Sequence, residues 1–221
     1  QSRSLDICKY IFDQKLKIDF EQIINSSNLI FSKEIYSLIL DKMEPEMNEI
    51  FLYNSLIPAI NSNNKELVEF LLSKNVHYEN ALIVAARNKD IDIVNIILKH
   101  DSSPSFVNRV SEDGTALIIA ISYNRLETTK RLLSIPGIDL SLYDKNEQTP
   151  LISSIVNLNI DIFNVILEFY GEKIQSEIWQ IDKAIKMTLT RLSSTNDNQS
   201  NFKFSFNNPS YSYNETDLIE K

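Results

Sequence analysis

The stretch Thr115-Ala116-Leu117-Ile118-Ile119-Ala120 returns as Thr149-Pro150-Leu151-Ile152-Ser153-Ser154. From 115 to 149 the step is 34 residues, and Leu132-Leu133 returns as Ile166-Leu167 at the same step. One step earlier, Ala81-Leu82-Ile83-Val84-Ala85-Ala86 precedes Ala116-Leu117 by 35, and Ile97-Leu98 precedes Leu132-Leu133 by 35. Two landmarks that move together identify an internal repeat, and the apolar spacing inside it is helical. Further upstream the step shortens: Leu56 to Leu82 is 26 residues, as is Leu71-Leu72 to Ile97-Leu98. This spacing predicts helices near 48–61 and 65–74, with only a tight connection and no hairpin between Lys74 and Ala81.

Each piece of the repeat has a mechanical role. The Thr before the apolar run caps a helix, and a Pro in its first turn loses nothing by lacking an N–H. The Leu and the small Ala residues suit a face that meets a neighbouring helix pair closely. Three glycines in 221 residues argue against phosphate-binding glycine loops and favour helices joined by Asn- and Ser-containing turns.

A unit of roughly 33 residues whose first helix opens T-P-L-H-x-A resembles the ankyrin repeat. Thr149-Pro150-Leu151 matches that opening, and Thr115-Ala116-Leu117 matches it with one change. The resemblance implies an all-α solenoid of stacked helix-turn-helix repeats with short hairpin fingers, the finger between the last two units running from Asp139 to Asn146. The motif's His is replaced by Ile83, Ile118 and Ile152, so apolar packing is expected to stand in for a polar contact. The finger glycine survives as Gly114 but is Glu147 in the next unit, beside Asn146.

The organisation read along the chain has four parts. Residues 1–47 form a degenerate helical N-terminal cap or repeat, with one helix around Ile7, Tyr10, Ile11 and Leu16. A further pair there follows Phe20, Ile23 and Ile24, then Ile35, Leu38, Ile39 and Leu40. Residues 48–171 carry the ankyrin-like repeats. Residues 172–193 form a C-terminal capping helix in which Trp179 is expected to pack. Residues 194–221 are a polar tail dotted with Phe202, Phe204, Phe206, Tyr211 and Tyr213, a composition that cannot close a core alone.

Composition narrows the function. A net charge of −8 repels nucleic acid and anionic membrane unless a basic stripe offsets it. The densest basic cluster is Arg125, Lys130 and Arg131, interrupted by Glu127, which reads as a solvated helix face. No window approaches the roughly 18 apolar residues of a membrane span, and the start shows no signal-peptide pattern. A single cysteine, Cys8, fits a reducing compartment, so a cytoplasmic location is expected. Asn25, Asn198 and Asn214 begin Asn-x-Ser/Thr triplets, as chance provides in an Asn- and Ser-rich chain.

Catalytic constellations are missing from the sequence. His77 and His100 are the only histidines and lie far from the cysteine, which argues against zinc. No nucleophile elbow, phosphate loop or H-E-x-x-H occurs, and carboxylate pairs such as Asp90/Asp92 read as helix-start residues. The expectation is a non-enzymatic module with no cofactor or metal, binding a protein partner. Self-association through the aromatic tail is the alternative.

In the ankyrin family, contacts come from finger tips and the exposed ends of first helices, on the concave face. Carried over, this gives Tyr143, Lys145, Asn146 and Gln148 in the complete finger, and Ser111 and Glu112 in the shorter one. The helix ends give Asn61/Ser62, Arg87/Asn88, Ser122/Tyr123 and Val156/Asn157. Tyr123 and Tyr143 lead, because aromatic side chains are enriched among binding hot spots.

Overall fold

The computed structural model describes residues 2–13, 32–42, 45–74, 76 and 78–194. Its described residues are helical, in the paired order expected of stacked repeats: α1 (Ser2–Asp13), α2 (Lys33–Leu40), α3 (Pro45–Asn61), α4 (Lys65–Ser73), α5 (Ala81–Ala85), α6 (Asp92–His100), α7 (Pro104–Val107), α8 (Ala116–Ser122), α9 (Leu126–Leu133), α10 (Pro150–Val156), α11 (Ile160–Tyr170) and α12 (Ile178–Ser194). A 3-10 helix, Gly171–Glu177, joins the last two. The pairs α3/α4, α5/α6, α8/α9 and α10/α11 stack in chain order, and α12 packs on α10 as α10 packs on α8.

Local chemistry fixes these helices. First helices α8 and α10 are capped by Thr115 and Thr149, whose hydroxyls accept from the Ile118 and Ile152 N–H groups, both at 3.3 Å. Second helices α4 and α11 are capped by Asn64 and Asn159, which accept from Leu67 N (3.1 Å) and Ile162 N (2.9 Å). The turn between the helices of a pair recurs with left-handed residues at Asn63 (φ 56°), Asn124 (φ 57°) and Leu158 (φ 55°). In each case the next N–H reaches back five residues, Asn64 to Ala59, Arg125 to Ala120 and Asn159 to Ser154. These are Schellman closures, which satisfy the last free carbonyls of the first helix.

The core is a continuous stripe between the two helix layers. Leu82, Leu117 and Leu151 are each at most 1% exposed, and Ile118 and Ile152 lie fully inside. Apolar packing thus replaces the motif's histidine, with Ile83 buried as well. Ala85, Ala120, Ser153 and Ser154 are also fully buried, so small side chains let adjacent first helices approach. At the N-terminal end Tyr36 stacks on Phe51 with ring centroids 5.1 Å apart, joining α2 to α3. Leu16, Phe20, Ile23 and Ile24 lie outside the described residues.

The connections follow the spacing. Between Lys74 and Ala81 the described residues show one turn, closed by Ala81 N to Tyr78 O at 2.8 Å. Residues 75 and 77 lie outside the description, His77 with them. His100 ends α6, its ring 5.0 Å from Tyr78 in an edge-on contact. The short finger pairs Ser111 with Gly114, N to O at 3.0 Å both ways. The longer one is organised by Asp144, whose Oδ1 accepts from Asn146 N and Gln148 N, both at 2.9 Å, with Glu147 left-handed at φ 57°.

Two expectations require correction. Trp179 does not pack in the terminal seal: it is 57% exposed. The seal on α10 is made instead by Ala184 and Gln180, which are buried while Trp179 lies off to one side of the same helix. The reason is geometric, since Gln180 and Ala184 are four apart and share a face, whereas residue 179 sits about 100° round from Gln180. Val156, read as an exposed helix end, is buried.

Candidate functional site

Arg87 leaves the end of α5 as part of a turn and reaches forward along the array. Its guanidinium donates to Asp113 Oδ2 at 3.1 Å and lies 5.8 Å from the centre of the Tyr123 ring. The same Asp113 accepts from Lys145 Nζ at 3.1 Å on its other oxygen. One carboxylate in the short finger therefore ties the end of one first helix to the tip of the next finger. Arg87 in turn is anchored from behind, because its carbonyl accepts from Arg125 Nε at 2.7 Å. The lysine ammonium is held above its ordinary pKa, first by its hydrogen bond to Asp113 and then by the charges of Asp113, Glu112 and Asp144.

The result is an exposed cluster whose geometry is set before anything binds. Tyr123 is 47% exposed and Tyr143 59%. A cation over a tyrosine face contributes roughly 0.5–1 kcal/mol at such a site, and exposed ion pairs are worth about 0–1 kcal/mol. The network's value is thus positional: it restricts the side chains that a partner would otherwise have to order. Glu112 joins through its backbone, its carbonyl accepting from Lys145 N at 3.3 Å.

The remaining sequence-chosen residues divide. Ser122 shares a 3.3 Å hydrogen bond with Ser153 on the neighbouring first helix. Asn146 and Gln148 belong to the Asp144-centred turn. Asn88 donates to the Ile60 carbonyl at 2.9 Å, and Asn157 to the Ser153 carbonyl at 2.8 Å, so both amides are engaged within the array. Asp113, the residue that joins the cluster, escaped the sequence reading. The sequence carries no periodic signal for it: Arg87 precedes it by 26 residues and Lys145 follows by 32, both off the 34–35-residue step.

Similar ionic links continue along the array. Lys65 pairs with Asp90 at 2.7 Å and also with Asp92, and Lys183 of α12 pairs with Glu147 at 2.8 Å. Elsewhere a hollow of about 620 Å³ is bordered by Ile138, Leu140, Phe169 and Tyr170, and none of the chosen residues lines it. Burial pushes the Tyr170 phenol up to about 12 there, with the Glu177 charge adding to it. Among the described residues no group of three or more His, Cys, Asp or Glu side chains is placed to hold a metal ion. No described helix is long and apolar enough to cross a membrane.

No curated protein matches the chain. The family model described as ankyrin repeats matches residues 82–178, in three copies, which takes in α5 through the start of α12. Residues 82–178 of this chain are ankyrin repeats, a kind of helical repeat that generally serves as a protein–protein interaction module.

Proposed function

We propose that the chain is a non-enzymatic recognition module of an intracellular compartment that binds another protein on the concave face formed by its finger tips and first helices. The observation that carries this reading is the Arg87–Asp113–Lys145 chain with Tyr123 under the guanidinium, an exposed and preordered cluster drawn from three successive units. Tyr123 and Tyr143 supply the apolar area. Arg87, Lys145 and Glu112 supply charge of both signs, and Ser122, Asn146 and Gln148 fill the polar rim. Asn88 and Asn157 act by holding the turns on which these residues stand. Binding on such a surface needs little rearrangement, because the stacked units present it preformed.

Affinity capture from the native cell extract, comparing the intact chain with Tyr123→Ala, Tyr143→Ala, tests the reading. A protein retained by the intact chain and lost with the variant identifies the partner and its site. Truncation of a central hot-spot tyrosine should weaken binding by roughly 2 kcal/mol. A protein retained equally by both moves the site off this face. Recovery of the chain alone speaks for self-association.

A further inference from the structure

The hollow at the base of the longer finger lies apart from the finger cluster. One wall is the loop that carries Asp139. Asn108 holds it there, donating to the Gly137 carbonyl at 2.7 Å and accepting from Asp139 N at 2.9 Å. Phe169 and Tyr170, at the end of α11, make the other wall, and Phe169 is 48% exposed. Asp139 is the one charged side chain among the lining residues. Its Oδ1 accepts from both the Ser141 N–H (2.8 Å) and the Ser141 hydroxyl (2.6 Å), which aims the carboxylate. Its other oxygen accepts no hydrogen bond from the described residues. Arg109, the basic residue beside Asn108, pairs with Glu79 instead. The potential in the hollow is negative. After burial, the charges of Glu177 and then Asp139 raise the Tyr170 phenol. α11 also arrives with no basic residue in its last turn to meet the negative end of its dipole.

We propose that this hollow receives a lysine side chain of a protein partner, its ammonium on Asp139 and its stem across Phe169 and Tyr170. Charge selects a cation. The aromatic wall selects one with a carbon stem, since lysine lays its methylenes along apolar surface and keeps its charged head on polar groups. A ring face attracts the ammonium as well. The hydrogen bonding of Asp139 then separates lysine from arginine. A guanidinium gains most from a carboxylate that offers both oxygens, whereas an ammonium is a point charge. With Oδ1 taken up by Ser141, Asp139 offers one. A volume of about 620 Å³ falls within the roughly 300–1,000 Å³ of ligand pockets, which leaves room for residues flanking the lysine. Arg87, Asp113, Tyr123 and Lys145 line no part of it, so this surface and the finger cluster stand or fall separately.

The test is an NMR titration of the intact chain, with labelled Ile and Leu methyls and aromatic rings, at fixed ionic strength. The probe is n-butylammonium chloride, which is the lysine side chain alone. The Ile138 and Leu140 methyls and the Phe169 and Tyr170 rings should shift and saturate in the millimolar range. The core methyls of Ile97 and Ile118 should keep their positions and show the fold intact in every variant. Ion pair and ring contact together should favour butylammonium over 1-butanol by roughly tenfold. Asp139→Asn keeps an acceptor for Ser141 and should weaken butylammonium binding about fivefold, while Tyr123→Ala, Tyr143→Ala should leave it unchanged. Shifts that do not saturate, that 1-butanol matches, or that survive Asp139→Asn at full strength overturn the proposal. Equal binding of n-butylguanidinium overturns the choice of lysine. Lys173 stands three residues beyond Tyr170 in the sequence, and Lys173→Ala should also leave the affinity unchanged. A gain would give the hollow to the chain's own lysine and overturn the partner.

Discussion

At the scale of single residues, the left-handed positions are the most informative. Asn63 and Asn124 occupy a conformation that Asn tolerates, but Leu158 takes the same one with a γ-branched side chain. Leu158→Asn should therefore stabilise the fold by roughly 0.5–1 kcal/mol, and Asn124→Leu should cost at least as much, read as shifts in urea midpoint. Asp90 offers a pH-dependent test. Its carboxyl is held at about 2, against an ordinary 3.8, chiefly by the Lys65 hydrogen bond and then by Asp92 N and Asn63. A lowered pKa means stabilisation that is complete above 3.8 and lost as pH falls through about 2. The urea midpoints of the parent and Asp90→Asn should therefore differ at neutral pH and converge across that window. The Thr caps and buried isoleucines were legible in the sequence because each acts through its immediate neighbours. Asp113 was not, because its partners stand in neighbouring units 26 and 32 residues away, off the repeat step, and meet it only through the stacking.

At the scale of elements, the two threonine caps are chemically alike but differently embedded. Both accept from the N–H three residues on, while Thr149 Oγ1 also donates to Gln180 of α12. Thr115→Ala should cost about 1 kcal/mol. Thr149→Ala should cost more, because it leaves the buried Gln180 carbonyl short of a donor. A double-mutant cycle with Gln180→Ala isolates the excess, and additivity within roughly 0.3–0.5 kcal/mol would show that the contact contributes nothing. The boundaries of α3 and α4 were readable from the 26-residue step, and α3 runs through Pro58, which cannot donate to the previous turn. The terminal helix was less readable. Its sequence carries two apolar stripes and an exposed indole, and periodicity alone does not say which stripe meets the stack. The 3-10 entry at Gly171–Glu177 was equally hidden, since no local signal separates it from ordinary helix.

At the scale of the molecule, the units share one core but touch mainly their neighbours, so stability should be close to a sum of unit and interface contributions. Leu117→Asp puts a carboxylate at a position with no solvent exposure and should cost roughly 4 kcal/mol or more. Hydrogen exchange should then show protection lost in α8/α9 and the adjoining pairs and retained in α3/α4, which α5/α6 separates from the damage. Uniform loss along the chain would show one indivisible cooperative unit instead. The same substitution should abolish partner binding, because Arg87, Asp113 and Tyr123 stand on the pairs it unseats.

The outward position of Trp179 also decides what light reports about this chain. It is the sole indole and stands on the last of the described helices, beyond the α10/α11 pair. Its emission samples the last of the described helices, whereas circular dichroism averages over every turn. Melting curves taken by the two methods should separate, the optical one coming first if the end frays before the middle. That gap is a direct gauge of how far local opening runs ahead of global collapse.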